Sequence, residues 1–285
     1  MNKDKDFVVA EVQGNMGNWI FGYMFAHVWA KRNGISNVYV KPETPLYYKQ
    51  IKYYNKLKDT IFRNLNLILN VPQGIQLYTP KMWYKEEDFS WIEPKNNIMF
   101  GGVVQCYNIF KDYRKDFIKI FGPTQEINNE IHELYGNLSD VVGFNIRRGD
   151  FLEWDNYWTY DENDIEYILD TFCKNKKVII TSDDIDWCKN NIKHPNLIFA
   201  DKQSNKFNKI AIDFYLNQLC GENIISPGST FSWLCAWMNS VHGGECSKVY
   251  CPEHWVKEIL PEEIGSDNMV LDSWTKIKLN SINRN

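Results

Sequence analysis

The sequence predicts an α/β protein with two domains and a parallel sheet in its second half. The chain has 285 residues and a hydrophobic content of 44%, which suits one long domain or two of ordinary size. It begins with an apolar strand, a glycine loop and an apolar helix, and from residue 141 apolar runs alternate with helix-like segments. Strand–helix alternation is typical of parallel sheets. We place the domain boundary after residue 136, which gives domains 1–136 and 137–285.

The first domain is predicted to open with a strand over residues 7–12 and a helix over residues 19–31. Between them, Gly14 and Gly17 permit a tight turn, and Asn18 is predicted to cap the helix. The loop lacks the Gly-Lys-Ser/Thr ending of a Walker loop and the complete G-x-G-x-x-G fingerprint of dinucleotide enzymes. It is therefore either a polar-ligand site at a helix amino terminus or a simple connection.

The remaining elements follow from periodicity and from glycine and proline breaks. Further strands are predicted over residues 37–40, 98–104, 178–180, 197–199, 223–226 and 249–251. Helices are predicted over residues 108–121, 124–135, 164–172 and 210–219. Residues 39–91 show poor periodicity, although the lysines of residues 49–58 fit a solvated helix face, and the tail over 278–285 is expected to fray.

The central stretch is residues 141–150, an apolar run that ends in two arginines, a glycine and an aspartate. Val, Phe and Ile favour a covered strand, whereas guanidinium groups stay charged only beside water, carboxylates or phosphates. Ligands of open α/β sheets bind where the strands end. Arg147 and Arg148 therefore suit a diphosphate, Gly149 allows close backbone approach, and Asp150 can accept hydrogen bonds from a sugar or hold a guanidinium. The structural alternative is a salt-bridged turn.

Polar side chains also follow two other predicted strands, at Thr181 to Asp184 and at residues 226–230. Parallel topology would bring these ends to the same edge as Arg147. Asp183 and Asp184 either face the ligand or favour the amino terminus of the next helix. The hydroxyl-rich segment 226–230 is either a phosphate cradle or a capped helix start, with Phe231 and the tryptophans after it in the core.

Two acidic features allow opposite interpretations. Asp213, on the helix predicted over 210–219, is either a carboxylate that reads the N1–H and amine of a guanine or an exposed surface acid. Asp184 and Asp186 match the D-x-D pattern with which many glycosyltransferases hold a divalent metal. We expect no metal there, because the arginines could neutralise a diphosphate instead. The histidines show no H-x-x-x-H spacing, so we expect no zinc site.

Composition excludes several classes of protein. A net charge of -4 argues against a nucleic-acid-binding protein. The 7 cysteines contain no C-x-x-C pair, which indicates reduced thiols in a cytosol. Residues 1–6 do not resemble a signal peptide, and no apolar run approaches the about 20 residues of a membrane span. We therefore expect a protein in the cytoplasm or at the periphery of a membrane. The 11 tryptophans hint at carbohydrate binding, although aromatic residues mostly fill cores.

Four segments, in order, resemble blocks of the α-1,2-fucosyltransferase family. The glycine loop with Asn18 and Phe21 resembles the family's G-G-L-G-N-Q-x-F, and residues 145–150 resemble its H-x-R-R-G-D. Residues 182–188 and 229–237 resemble S-D-D-x-x-W-C and S-T-F-S-W-W-G-A-W. The resemblance covers nearly the whole chain, and four blocks in the family's order are far more specific than one.

The resemblance implies a GT-B architecture, in which two Rossmann-like domains face each other across a cleft. It implies an inverting transferase that moves L-fucose from GDP-fucose to the 2-hydroxyl of a terminal galactose, with no metal and no cofactor. Arg147 and Asp150 are the implied catalytic residues, with Arg147 stabilising charge on the leaving GDP. Phe21 and Gln105 are assigned to the acceptor side. The implied donor-binding residues are Gly17, Asn18, Asn145, Arg148, Asp183, Asp184, Asp213, Ser229, Thr230 and Phe231.

The sequence departs from the family pattern at three places. Asn145 stands where the family usually has histidine, and because an amide cannot take a proton near neutral pH, a histidine base is excluded there. Leu234 and Cys235 replace Trp-Gly, and Asn15 replaces a glycine. The sequence identifies no general base. With a good leaving group, proton removal could come late and need no strong base.

Three other interpretations stay open. A related transferase could use another linkage or donor, a non-catalytic relative could bind glycans without turnover, and a metal-dependent enzyme could use Asp184 and Asp186. The β-galactoside acceptor, which the aromatic-rich residues 39–91 are expected to select, and the oligomeric state cannot be read from the sequence.

Overall fold

The computed structural model describes residues 6–43, 47–80, 92, 97–102, 104–155, 157–239, 241, 248–256 and 269–279, which form two compact units. The division lies between Phe121 and Gly122, whereas the sequence placed it after residue 136. Gly122 and Pro123 end one helix, and the next helix, Gln125–Tyr135, packs against Lys209–Leu219 of the second unit. This packing explains why the division precedes the predicted boundary.

The first unit is built on a five-stranded parallel sheet with the order β3-β2-β1-β5-β4. Its strands are β1 (Phe7–Val12), β2 (Asn37–Pro42), β3 (Asn66–Leu67), β4 (Gln76–Tyr78) and β5 (Asn97–Phe100). Its helices are α1 (Met16–Arg32), α2 (Tyr47–Leu57), α3 (Tyr107–Phe110) and α4 (Arg114–Phe121). β1 lies between β2 and β5, so its Val-Val-Ala run is covered on both faces.

The predicted unit of strand, glycine loop and helix is present at the amino terminus. Helix α1 begins at Met16, with Asn15 at the N-cap position, so the prediction that Asn18 caps it is wrong. Gly14 has a φ of 72°, and a Cβ there would lie 2.8 Å from the Asn18 amide nitrogen. Asn18 therefore folds back over the glycine turn from the first turn of the helix.

The second unit contains a six-stranded parallel sheet with the order β11-β10-β9-β6-β7-β8. Its strands are β6 (Val141–Ile146), β7 (Lys177–Ser182), β8 (Leu197–Phe199), β9 (Glu222–Ile224), β10 (Lys248–Pro252) and β11 (Thr275–Ile277). Its helices are α5 (Gln125–Tyr135), α6 (Glu162–Phe172), α7 (Ile185–Asn191), α8 (Lys209–Leu219) and α9 (Thr230–Met238). The parallel sheet predicted for this half is confirmed.

The three central strands of this sheet end side by side. β6 runs parallel to β7, with Ile146 opposite Ser182, and parallel to β9, with Phe144 opposite Ile224. β6 is buried at every residue, as its apolar sequence predicts. The segments that follow these strands must therefore leave the sheet at one edge.

The differences from the predicted elements have local causes. The strand expected over 98–104 ends at Phe100, because Gly101 and Gly102 follow it and Gly102 has a φ of 83°. The helix expected over 108–121 is interrupted by a 3-10 turn at Lys111–Tyr113. The strands that the sequence did not predict, β3, β4 and β11, have only two or three residues and too little sequence for a period to show.

Two bulk predictions can be compared with this structure. Six cysteines among the described residues are free and buried; Cys246 lies outside the described residues. In the part of the chain that the structure describes, no helix combines the length and the apolar character that crossing a membrane requires. Residues 280–285 of the predicted fraying tail and residues 81–91 of the proposed acceptor region also lie outside the described part.

Candidate active site

The polar segments that follow β6, β7 and β9 meet at one edge of the sheet, as the parallel topology predicted. The backbone N–H of Arg147 donates to Ser226 Oγ at 2.8 Å, and that hydroxyl donates to the Asn145 carbonyl at 2.7 Å. The backbone N–H of Arg148 donates to Asp183 Oδ1 at 2.9 Å. Each contact joins two of the three strand ends, so the loops are fixed to one another.

Arg147 is held by two carboxylates from different loops. Its Nη2 pairs with Asp150, three residues along the same loop, and its Nη1 lies 2.9 Å from Asp183 Oδ2 after β7. The Arg147 side chain is 23% exposed. A guanidinium carries five N–H donors. Against the residues that the structure describes, these two contacts leave its Nε–H and the second N–H of each terminal nitrogen for a ligand.

Gly149 makes this arrangement possible. Its φ is 21°, and a Cβ at this position would lie 2.4 Å from Asp183 Oδ2. Any side chain would collide with the carboxylate that holds Arg147. The close backbone approach predicted for Gly149 is therefore real, but the group that approaches is a protein carboxylate.

Arg148 is fixed by a different set of contacts. Its guanidinium carbon lies 3.4 Å from the centre of the Trp187 ring, and its Nε lies 3.4 Å from Asp184 Oδ2. The other carboxylate oxygen of Asp184 accepts from the backbone N–H of Trp187, which caps α7. The helix-capping alternative therefore holds for Asp184, whereas Asp183 pairs with Arg147. We call Arg147, Arg148 and their carboxylate partners Asp150, Asp183 and Asp184 the arginine cluster.

The charges at this edge do not give a positive surface. Two guanidiniums face three carboxylates, those of Asp150, Asp183 and Asp184. An anion could therefore bind here only through directed N–H donors, because the summed charge does not attract it. Asp150 and Asp183 orient Arg147, whereas Asp184 contacts Arg148.

A layer of buried amides supports the strand ends from below. The Nδ2 of Asn145 donates to Thr181 Oγ1 at 3.0 Å, and the Nδ2 of Asn217 on α8 donates to the same oxygen at 2.8 Å. Asn145, Thr181 and Asn217 are at most 8% exposed. The Asn145 amide nitrogen faces this layer, so only its amide oxygen could contact a nucleotide-sugar donor. Its predicted donor-binding role becomes mainly one of support.

The same layer continues towards β9 and α9. Asn223 Nδ2 donates to the Asn217 carbonyl at 2.8 Å, and Asn239 Nδ2 donates to Asn223 Oδ1 at 2.7 Å. A Cβ on Gly143 of β6 would lie 2.9 Å from Asn217 Oδ1, so glycine leaves space for the layer. Sequence reasoning missed Asn217, Asn223 and Asn239, because lone asparagines in apolar elements give no periodic signal. An asparagine within a predicted buried face was the available clue.

Asp213 is a buried acid, so the alternative of an exposed surface acid is wrong. It lies on α8 one turn before Asn217, is 8% exposed and pairs with Lys209. Burial raises the pKa of Asp213 to about 6, although the Lys209 ammonium acts in the opposite direction. Because this pKa lies above the ordinary value, the carboxyl group favours the folded state at low pH. That contribution is lost as the pH rises through about 6.

The hydroxyl-rich loop after β9 enters α9 as predicted. Ser229 is 3% exposed, and its Oγ caps α9 by accepting from the Ser232 N–H, so the capping alternative holds for this side chain. Thr230 and Phe231 are half-buried at the start of the helix. Trp233 and Trp237 are buried in the core. Thr230 and Phe231 therefore remain the members of the segment whose side chains can reach a ligand.

The predicted site residues of the first unit differ in their exposure. Phe21 is 0% exposed and its ring lies 5.7 Å from that of Phe110, so its side chain packs in the core, and its assignment to the acceptor side stays a prediction. Gln105 is 4% exposed, Gly17 is buried in the first turn of α1, and Asn18 is half-buried beside Gly14.

In the described part of the chain, no group of three or more His, Cys, Asp or Glu side chains is placed to hold a metal ion.

Comparison with known proteins assigns the chain to a family. The model of glycosyl transferase family 11 matches residues 76–275. The chain belongs to glycosyl transferase family 11. The family predicted from the four sequence blocks is confirmed. The arginine cluster and the hydroxyl-rich loop over residues 226–230 both lie within the matched region.

Two curated proteins of Escherichia coli are similar to this family 11 chain. An α-1,2-colitosyltransferase is 29% identical over 197 residues, which cover 65% of this chain and 64% of that protein. The O-antigen biosynthesis glycosyltransferase WbnK is 25% identical over 201 residues, covering 65% of this chain and 63% of that protein. The match therefore spans somewhat less than two thirds of the length of either relative.

Solved structures give the fold. The fucosyltransferase NodZ from Bradyrhizobium matches with a TM-score of 0.52 at 13% identity, over 81% of this chain and 92% of that one. The structure of the NodZ α-1,6-fucosyltransferase co-crystallised with GDP matches with a TM-score of 0.52 at 14% identity, over 81% and 91% of the two chains. The predicted α/β class of GT-B type is confirmed.

The amide layer makes a testable prediction at Thr181. Thr181→Val removes the oxygen that accepts from both Asn145 and Asn217 while it keeps the shape of the side chain. Leaving these buried donors unsatisfied should lower the free energy of unfolding by about 2 kcal/mol, measured by chemical denaturation. Thr181→Ser keeps the oxygen and should cost about 1 kcal/mol for the lost methyl group. Equal losses in the two variants would contradict a role for the hydroxyl.

Proposed function

We propose that this chain is an inverting, metal-independent glycosyltransferase that moves L-fucose from GDP-fucose to the 2-hydroxyl of a terminal β-galactoside. The observation that carries the proposal is the fixed guanidinium of Arg147 at the carboxyl edge of β6, whose contacts with the described residues leave three N–H donors for a ligand. Family 11 membership supplies the class of reaction. The relatives of the same fold crystallised with GDP and soaked with GDP-fucose suggest the donor to be tested.

In this proposal the chemical work of the protein is to stabilise a leaving group. When the bond between C1 of the sugar and the β-phosphate oxygen breaks, negative charge grows on that phosphate. Arg147 is already oriented by Asp150 and Asp183, so it needs little reorganisation to meet this charge. Arg148 is stacked on Trp187 and adds a second cation at the same edge.

The remaining donor contacts come from groups around the cluster. Thr230 and Phe231 stand at the amino terminus of α9, where backbone N–H groups favour an anion. Asp150 would accept from a sugar hydroxyl. Asp213, which has a side-chain exposure of 12%, would present its remaining carboxylate oxygen to guanine.

The acceptor hydroxyl must lose a proton, and Asn145 cannot take it. Its amide is part of the buried layer with Thr181 and has no basic nitrogen. We therefore propose that the hydroxyl oxygen bonds to C1 as the bond from C1 to the diphosphate breaks, and that its proton then passes to solvent water. The departing diphosphate, held by Arg147, makes a strong base unnecessary. Asp150 is the carboxylate that the sequence assigned to catalysis, and it is paired with Arg147.

A second donor is supported by one relative. The protein that is 29% identical to this chain is named for α-1,2 transfer of colitose. Colitose is fucose without its 3-hydroxyl, so both donors share the apolar C6 methyl group. Comparing turnover of the two nucleotide sugars would separate these candidates. A non-catalytic glycan-binding protein would hydrolyse neither donor and transfer neither sugar.

Substitution of Arg147 tests the leaving-group role. Arg147→Lys keeps a positive charge but cannot contact Asp150, Asp183 and a phosphate together. We expect kcat/KM for fucosyl transfer to a β-galactoside to fall at least about 100-fold, with a thermal unfolding midpoint close to that of the wild type. Turnover near the wild-type value would refute the assignment.

The matched control for this variant is Lys176→Ala. Lys176 lies 2.7 Å from Glu222, an ion pair at the opposite, amino-terminal edge of the same sheet. Its loss should leave kcat/KM unchanged. A similar fall in both variants would show that Arg147→Lys acts through general damage to the sheet.

Metal independence is tested by chelation. Because Asp183 and Asp184 are occupied by the arginine cluster, we expect the initial transfer rate to be the same with and without excess EDTA. Asp186→Asn should also keep the activity. Loss of activity that Mn²⁺ or Mg²⁺ restores would support the alternative site at Asp184 and Asp186.

A further inference from the structure

An exposed aromatic cluster follows the arginine motif directly. The ring of Phe151 lies 5.9 Å from that of Trp154 in a stacked arrangement and 4.3 Å from that of Tyr157. Phe151 is 9% exposed, whereas Trp154 is 49% exposed and the neighbouring Leu152 is 56% exposed. The buried Phe151 ring therefore supports the half-exposed ring of Trp154.

This aromatic cluster, residues Phe151, Trp154 and Tyr157, contacts two loops of the candidate site. The guanidinium carbon of Arg147 lies 5.1 Å from the centre of the Phe151 ring. On the other side, Gly228 of the hydroxyl-rich loop has a φ of 62°, and a Cβ there would lie 2.5 Å from Tyr157 Cδ1. The cluster thus touches both the arginine loop and the loop that enters α9.

The exposure of Trp154 has a physical cost that a ligand would relieve. Half of a large indole stays in water, although its stacking on Phe151 at an interplanar angle of 28° holds it in one orientation. Scattered apolar residues on a surface need no explanation, but Leu152 and Trp154 are both exposed and are two residues apart in the segment that follows the arginine motif. A rigid aromatic face of this kind binds an apolar surface with little loss of conformational entropy.

We propose that Trp154, with Leu152, binds the C–H face and the methyl group of the donor's 6-deoxysugar. The inference rests on the proposed function. Phe151 is the common neighbour, because the guanidinium carbon of Arg147 lies 5.1 Å from the centre of its ring and the Trp154 ring stacks on it at 5.9 Å. The sugar is bonded directly to the β-phosphate, so it is the first group of the donor beyond the phosphate that Arg147 would contact. Fucose and colitose both present a methyl group where other hexoses carry a hydroxymethyl group.

The test compares a ligand with the sugar to a ligand without it. Dissociation constants for GDP-fucose and for GDP are measured by calorimetry, without acceptor, for the wild type and for Trp154→Ala. We expect Trp154→Ala to lower the affinity for GDP-fucose roughly tenfold through lost apolar contact, and to leave the affinity for GDP unchanged. Trp154→Phe keeps a flat ring and should recover most of the loss.

Tyr167→Ala serves as the matched control. Tyr167 is 43% exposed on α6 and is outside the aromatic cluster. This variant should bind GDP-fucose as the wild type does, and its thermal unfolding midpoint reports the general effect of removing an exposed aromatic ring.

Three results would overturn the inference. The first is an unchanged affinity of Trp154→Ala for GDP-fucose, and the second is an equal loss for GDP and GDP-fucose, which would indicate a structural effect. The third comes from steady-state transfer assays of the same variant, in which a change confined to the KM of the β-galactoside would place the acceptor on Trp154. A wild-type protein that binds neither GDP nor GDP-fucose would instead refute the proposed function, so the two failures are distinguishable.

Discussion

The contact on which the candidate site depends is the pairing of one guanidinium with two carboxylates from neighbouring strand ends. Arg147 follows β6, Asp150 lies three residues later, and Asp183 follows β7. The arrangement requires a glycine at 149, because a Cβ there would collide with Asp183. The charge is thereby placed in a fixed direction at the open edge of the sheet. The two carboxylates cancel its long-range attraction, so what it offers a diphosphate is oriented N–H donors.

Beneath this cluster, a second layer holds the strand ends at their spacing. Asn145 and Asn217 share the hydroxyl of Thr181, and Ser226 joins the backbones of the loops after β6 and β9. Buried amides of this kind are costly unless every donor is satisfied. In the proposed function the two layers have different tasks: Arg147 and its carboxylates would meet the ligand, and the buried amides set the spacing of the strand ends.

Much of this could be predicted from the sequence, for reasons that are local. The apolar run of β6 and the arginines after it predicted a buried strand that ends at a polar edge, and parallel topology then predicted that Asp183 and Ser226 would lie nearby. The partners within the edge could not be predicted. Asp183 and Asp184 are adjacent residues of the same type, so the sequence does not show which of them caps α7 and which holds Arg147. The backbone geometry at Gly149 and Asp184 decides this.

For other residues, the environment of the side chain was not visible in the sequence pattern. Phe21 matched a family block yet lies in the core, since α1 is apolar on nearly all faces and no period marks its exposed side. For Asp213 only the alternative of an exposed surface acid is wrong, because its burial emerges only when α8 packs below the sheet edge. Trp154 had no motif at all. Its position follows from stacking on Phe151, which a linear pattern cannot show.

The central claim is that Arg147 meets the β-phosphate, and the most direct measurement compares GDP with GMP. Calorimetric affinities of both nucleotides for the wild type and for Arg147→Lys form a double-mutant cycle in which the only ligand change is the β-phosphate. The account predicts that the wild type prefers GDP and that the variant loses about 2 kcal/mol of that preference, with GMP binding nearly unchanged. Equal weakening of GDP and GMP would contradict it.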